Sequence, residues 1–152
     1  MKKKINETRN GKEIYVIVND AHMQAHPQIT ESLLTEAIGK VDYKPPFQMV
    51  TVGMGRTIGT DMCVSTGPDD KIVWKARKGR TTPSRMVLGR EPEPTCLVTV
   101  GICTDDDGLD TVFTAFPGQL APKELHDPRL REDERPEAEA FWAVHALIAE
   151  EE

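Results

Sequence analysis

The hydrophobic pattern changes period several times along the chain. Glu13-Ile14-Tyr15-Val16-Ile17-Val18 is rich in β-branched and aromatic residues and closes on Asn19-Asp20, which predicts a strand. Ile29, Leu33, Leu34, Ala37 and Ile38 then recur at helical spacing. Pro27 suits a first turn and Gly39 a C-cap, so a helix is predicted over 27–38. After Pro45-Pro46 the character becomes β. Short runs at 48–53, 61–66, 72–78, 84–88, 97–104 and 110–116 are separated by Gly-, Pro- and Asp-containing turns, the last of them Asp105-Asp106-Asp107-Gly108-Leu109. Residues 121–135 are charged and interrupted by proline and predict an irregular acidic crossing segment. Over 136–149, Phe141, Trp142, Val144, His145, Leu147 and Ile148 make a broad apolar arc behind an acidic first turn, which predicts a closing helix. Residues 1–12 are polar and predict a flexible arm. The expected fold is a single α+β domain over 13–152, with an N-terminal helix packed on a curved antiparallel sheet and a C-terminal helix closing it.

The chain of 152 residues, 38% hydrophobic and 29% charged, has the composition of one globular domain. No stretch is apolar enough to predict a membrane span, and the lysines after Met1 lead into polar residues rather than an apolar run, so no signal peptide is expected. Cys63, Cys96 and Cys103 are odd in number and lack CxxC spacing, which points to a reducing compartment and a cytoplasmic location.

Charge changes the picture more. Residues 1–104 carry 15 Lys and Arg against 11 Asp and Glu, whereas residues 105–152 carry 4 against 14. Within 71–90, Lys71, Lys75, Arg77, Lys78, Arg80, Arg85 and Arg90 occur without one acid. Such a block is an electrostatic footprint for a polyanion, and the acidic C-terminal segment is its candidate internal competitor. The plain structural reading is a solvated hairpin partly neutralised by that segment.

Gly53-Met54-Gly55-Arg56-Thr57-Ile58-Gly59 follows a predicted strand but has GxGxxxG spacing and precedes another strand, so neither a dinucleotide site nor a P-loop is predicted. His22 and His26 are four apart, yet Met23 replaces the glutamate of a zincin and no third ligand is evident. No metal or cofactor is therefore expected. Alternation along 72–78 puts Ile72, Trp74 and Ala76 on one face and Val73, Lys75 and Arg77 on the other. A returning strand at 84–88 is expected to add Met86 and Leu88 to the first face and Arg85 to the second. Three cations on one sheet face are costly to gather unless an anion occupies it. Along the last predicted strand, Thr114 supplies a hydroxyl among Val112 and Phe116. Cations, a histidine and a hydroxyl on a concave sheet are the groups needed to move a ribose 2′-hydroxyl onto the adjacent phosphate.

The run Cys63-Val64, Asp70-Lys71-Ile72-Val73-Trp74-Lys75-Ala76-Arg77, Gly89 to Thr95, Val98-Thr99-Val100 and Phe113-Thr114-Ala115-Phe116-Pro117-Gly118 resembles the small nuclease domains of the barnase–EndoU–colicin–RelE superfamily, and His26-Pro27 before a helix resembles the histidine element of some members. The resemblance extends over residues 13–120. It implies a metal-independent, toxin-like RNase forming 2′,3′-cyclic phosphate, with His26 as acid or base, Arg77 and Arg85 at the phosphate and Thr114 positioning. Lys75, Arg77, Lys78, Arg80 and Arg85 are the expected phosphate-binding set. Expected partners are RNA or another polyanion, with a cognate inhibitor protein or a second copy of the chain as further candidates and no membrane. The rival reading is a non-enzymatic interaction module of bacterial or phage origin, or a homo-oligomer whose interface centres on Phe141 and Trp142, with the basic face meeting an acidic partner.

Overall fold

The structure is a computed structural model that describes residues 1–18, 28–77 and 79–149. Strand accounts for 42% of it and helix for 12%, arranged in three sheets. The expected α+β domain with one curved sheet is therefore corrected to a mostly β architecture. The chain divides into two compact units: residues 1–59 with 94–120, and residues 60–93 with 121–152.

In the first unit, β1 (Lys2–Glu7), β2 (Glu13–Ile17), β3 (Phe47–Gly53), β9 (Leu97–Thr104) and β10 (Asp110–Pro117) form a sheet in the order β1-β2-β10-β9-β3. Residues 2–7 are thus an edge strand and not an arm. Their register, Lys4 opposite Tyr15 and Lys2 opposite Ile17, gives polar residues a hydrogen-bonded ladder that a local reading of polarity does not reveal. Helix α1 (Glu31–Ile38) starts later than the sequence pattern suggests, because Thr30 caps it by accepting from Leu33 N at 3.1 Å. Leu33, Leu34, Ala37 and Ile38 of α1 pack with Ile14, Val52, Val98, Val100, Ile102 and Val112 on one face of the sheet. Between β9 and β10 the predicted turn is present: Asp105 Oδ1 accepts from Asp107 N and Leu109 N, and Gly108 adopts φ +79°.

The second unit holds β5 (Cys63–Ser65), β6 (Lys71–Ala76), β7 (Pro83–Leu88) and β11 (His145–Ile148) in the order β5-β11-β7-β6, with helix α2 (Arg135–Trp142) before β11. The predicted closing helix over 136–149 is half right in position and wrong in extent. It ends at Trp142, and His145–Ile148 become a strand antiparallel to β5 and parallel to β7. Val64, Val87 and Ala146, with Ile72 and Ile148 against them, form this unit's smaller core. β4 (Gly59–Asp61) and β8 (Glu93–Thr95) form the third, two-stranded sheet.

Candidate functional site

The basic block forms the β6–β7 hairpin of the second unit. Its register is Ile72 opposite Val87, Val73 opposite Met86, Trp74 opposite Arg85 and Lys75 opposite Ser84. Directly opposed residues share a face, so Arg85 stands with Trp74 rather than with Lys75, and Met86 and Leu88 stand with Val73 and Lys71. This corrects the expected grouping of Lys75, Arg77 and Arg85. The cause is the loop: the strands separate after Ala76 and rejoin at Pro83, and a one-residue difference in where pairing resumes exchanges the two faces of the returning strand.

The two arginines expected at a phosphate both have protein partners. Arg85 Nη1 donates to His145 O at 2.6 Å and to Thr66 Oγ1 at 3.0 Å, fastening the start of β11 to the hairpin. Arg77 lies just past the end of β6, and its Nη2 donates to Glu124 Oε2 at 2.7 Å. Glu124 belongs to the acidic segment 121–135, so the internal competitor inferred from charge occupies this guanidinium. The match is incomplete. Arg77 Nε and Glu124 Oε1, both buried, have no hydrogen-bond partner among the described residues. Farther along, Arg90 reaches Asp70 Oδ1 at 3.1 Å, and the Asp70 carboxyl is held below its usual range by the Gly67 backbone N–H and then by Arg90.

What the hairpin leaves toward solvent on the Trp74 face is an aromatic ring. Trp74 is 48% exposed, and the exposed His126 ring meets it edge-on at 5.2 Å. Lys75, on the other face of β6, and Arg80, in the loop beyond it, are also exposed, and Gly79 at φ +82° turns the chain just before Arg80. Lys78 lies outside the described residues. Sequence reasoning missed Trp74 and His126 as a pair. Alternation groups Trp74 with Ile72 and Ala76, and the core on that face ends at Ile72 and Val87, which leaves Trp74 exposed.

The remaining expected site residues do not join this group. His26, with His22, lies outside the described residues. Thr114 belongs to the first unit, where it stands opposite Gly101 at a register shift in β10. A Cβ built on Gly101 would come within 2.8 Å of Thr114 Cγ2 and 2.6 Å of both Met49 Sδ and Phe113 Cζ, so Gly101 is the residue that lets these side chains close over the sheet. His145 is a packed residue, as the sequence suggests, but in a strand. Its ring stacks on Phe141 at 3.9 Å and its Nδ1 lies 2.9 Å from Phe141 O. Trp142, proposed from sequence as an oligomer interface, is only 3% exposed, and its indole Nε1 donates to Lys123 O at 3.1 Å, tying the acidic segment to α2. Burial, followed by the Asp61 and Glu124 carboxylates, pushes the Cys63 thiol up to about 12, far from a nucleophile's range.

Among the described residues no group of three His, Cys, Asp or Glu side chains is placed to hold a metal ion, and no helix is long and apolar enough to cross a membrane. The chemistry offered by the β6–β7 hairpin is ring stacking with cationic contact. Comparison with protein-family models, with curated proteins and with solved structures returns no match.

Proposed function

We propose that this protein binds single-stranded RNA, or a chemically equivalent polyanion, on the β6–β7 hairpin of its second unit. The observation that carries the reading is the exposed Trp74 indole, edge-on to His126, on a hairpin that also exposes Lys75 and Arg80. An unpaired base has a π-face that stacks on an indole whatever its identity, while lysine and arginine neutralise the phosphates on either side. Cleavage is not part of the reading, because Arg85 commits its Nη1 to His145 O and Thr66 Oγ1 and Arg77 commits its Nη2 to Glu124.

The test uses the full chain, a labelled single-stranded RNA and a salt series. Affinity is expected to fall linearly with salt on logarithmic axes, and Trp74→Ala is expected to cost about 1–3 kcal/mol of binding at fixed salt. RNA that stays unbound at low salt, or binding indifferent to Trp74→Ala, overturns the proposal. RNA returned as fragments ending in 2′,3′-cyclic phosphate would instead restore the cleavage reading.

One observation favours a second reading. Arg77 already holds a protein carboxylate, that of Glu124, so the hairpin is able to accept an acidic segment of another protein. An acidic peptide that displaces the RNA and binds equally well to the Trp74→Ala protein would favour it.

A further inference from the structure

Open sheet edges are templates for another chain, and natural proteins blunt them with charge, brevity or a bulge. The two larger sheets here have four edges. β1 carries Lys2, Lys3 and Lys4 and a register shift between Lys4 and Asn6. β6 carries Lys71 and Lys75, and β5 is only three residues long. β3 has none of these devices. Its sequence, Phe-Gln-Met-Val-Thr-Val-Gly, holds no charged residue and no proline, and its pairing with β9 is regular from end to end.

The direction of its free backbone groups follows from the ladder. Thr104 N donates to Pro46 O and Met54 N donates to Cys96 O, so even-numbered residues from 46 to 54 face β9. Phe47, Met49, Thr51 and Gly53 consequently aim their N–H and C=O groups away from β9. Among the described residues, no backbone group pairs with them.

We infer that β3 is a self-association edge whose occupant is β3 of a second copy of this chain, antiparallel about a two-fold axis at Val50. This register sets Phe47 opposite Gly53 and Met49 opposite Thr51, pairing outward-facing residues with outward-facing residues. That parity is what an antiparallel ladder requires. Val50 meets its own copy as a non-hydrogen-bonded pair. Side chains fit the same register. Phe47 is 59% exposed and stacks on Phe113 at 5.5 Å, while a Cβ at Gly53 would meet nothing within 4 Å. An aromatic opposite a strand glycine covers backbone that the glycine leaves bare. The absence of charge on the edge means that the two-fold brings no like charges together.

Sedimentation of the full chain together with a cysteine cross-link tests this. The wild type is expected to form dimers at roughly 100 µM, and Phe47→Lys to sediment as a monomer that still unfolds cooperatively. In the Val50→Cys protein, mild oxidation is expected to give a disulfide joining residue 50 to residue 50, identified by peptide mass mapping, since opposed non-hydrogen-bonded positions lie within disulfide reach. Gln48→Cys, which faces Val52 of the second copy, is not expected to link to itself. A wild type that is monomeric at roughly 100 µM, a Phe47→Lys protein that remains dimeric, or a dimer whose Val50→Cys variant forms no such disulfide overturns the inference.

Discussion

Arg77 donates to Glu124 through one nitrogen at 2.7 Å, while the neighbouring Nε and the other carboxylate oxygen, both buried, have no hydrogen-bond partner among the described residues. A guanidinium and a carboxylate can meet through two parallel bonds, and this pair makes one of them. The acidic segment therefore neutralises the basic hairpin at this point without saturating it. With the Arg77 side chain 38% exposed, the pair remains open to exchange with another anion.

Removing the competing charge is expected to strengthen polyanion binding. Glu124→Gln keeps the side-chain shape and releases Arg77, so RNA affinity should rise at every salt concentration. The slope of log K against log salt should steepen by about 0.7, the increment for one added phosphate contact on a single strand. Anisotropy titrations across a salt series check this. An unchanged slope would mean that Arg77 does not reach the bound anion.

Arg85 is expected to matter for stability and little for binding. Its Nη1 satisfies His145 O and Thr66 Oγ1, joining residues far apart in sequence, and Arg85→Ala leaves both without that donor. Urea denaturation should show a loss of about 1.5–3 kcal/mol, the range for hydrogen bonds made by a charged group. RNA affinity of the folded variant should stay within a few-fold of wild type. A large affinity loss at unchanged stability would mean that Arg85, which shares the Trp74 face, contacts the bound anion.

Cys63 should resist modification and make the fold sensitive to alkali. Its thiol is pushed up to about 12, so at neutral pH its thiolate fraction is about 10³ below that of an ordinary thiol. Thiol-reagent labelling with peptide mapping should find the exposed Cys96 modified first and Cys63 last. In the unfolded chain the Cys63 thiol ionises near 8.5, well before the folded one, so ionisation favours the unfolded state. Stability is expected to be unaffected below about pH 8.5 and to fall as pH rises toward 12, less steeply in Cys63→Ala.

Local pattern determined a good deal about this protein. Residues 97–104 form β9 with both predicted ends, and 110–116 fall within β10. The turn between them is set by Asp105 and Gly108, whose preferences act within a few residues. The end of α1 at Ile38 and the burial of Leu33, Leu34 and Ala37 also follow from helical spacing. Nor did the competition between the acidic segment and the basic block need coordinates to suggest itself, since long-range attraction depends on charge.

Tertiary pairing decided the rest. His145–Ile148 is apolar enough for a helix or a strand, and it is a strand because β5 and β7 offer ladder partners that saturate its backbone. Lys2–Glu7 is ordered for the same reason, by pairing with β2. The face on which Arg85 stands turned on a single residue of register across the hairpin loop, and so did the membership of the candidate site. Trp74 is exposed because the second unit's core stops short of it, and the extent of a core is a property of packed layers. A sequence carries periodicity, turn chemistry and charge within one stretch of chain. Hydrogen-bond partners and register between distant strands are chosen only when the whole sheet satisfies its backbone at once.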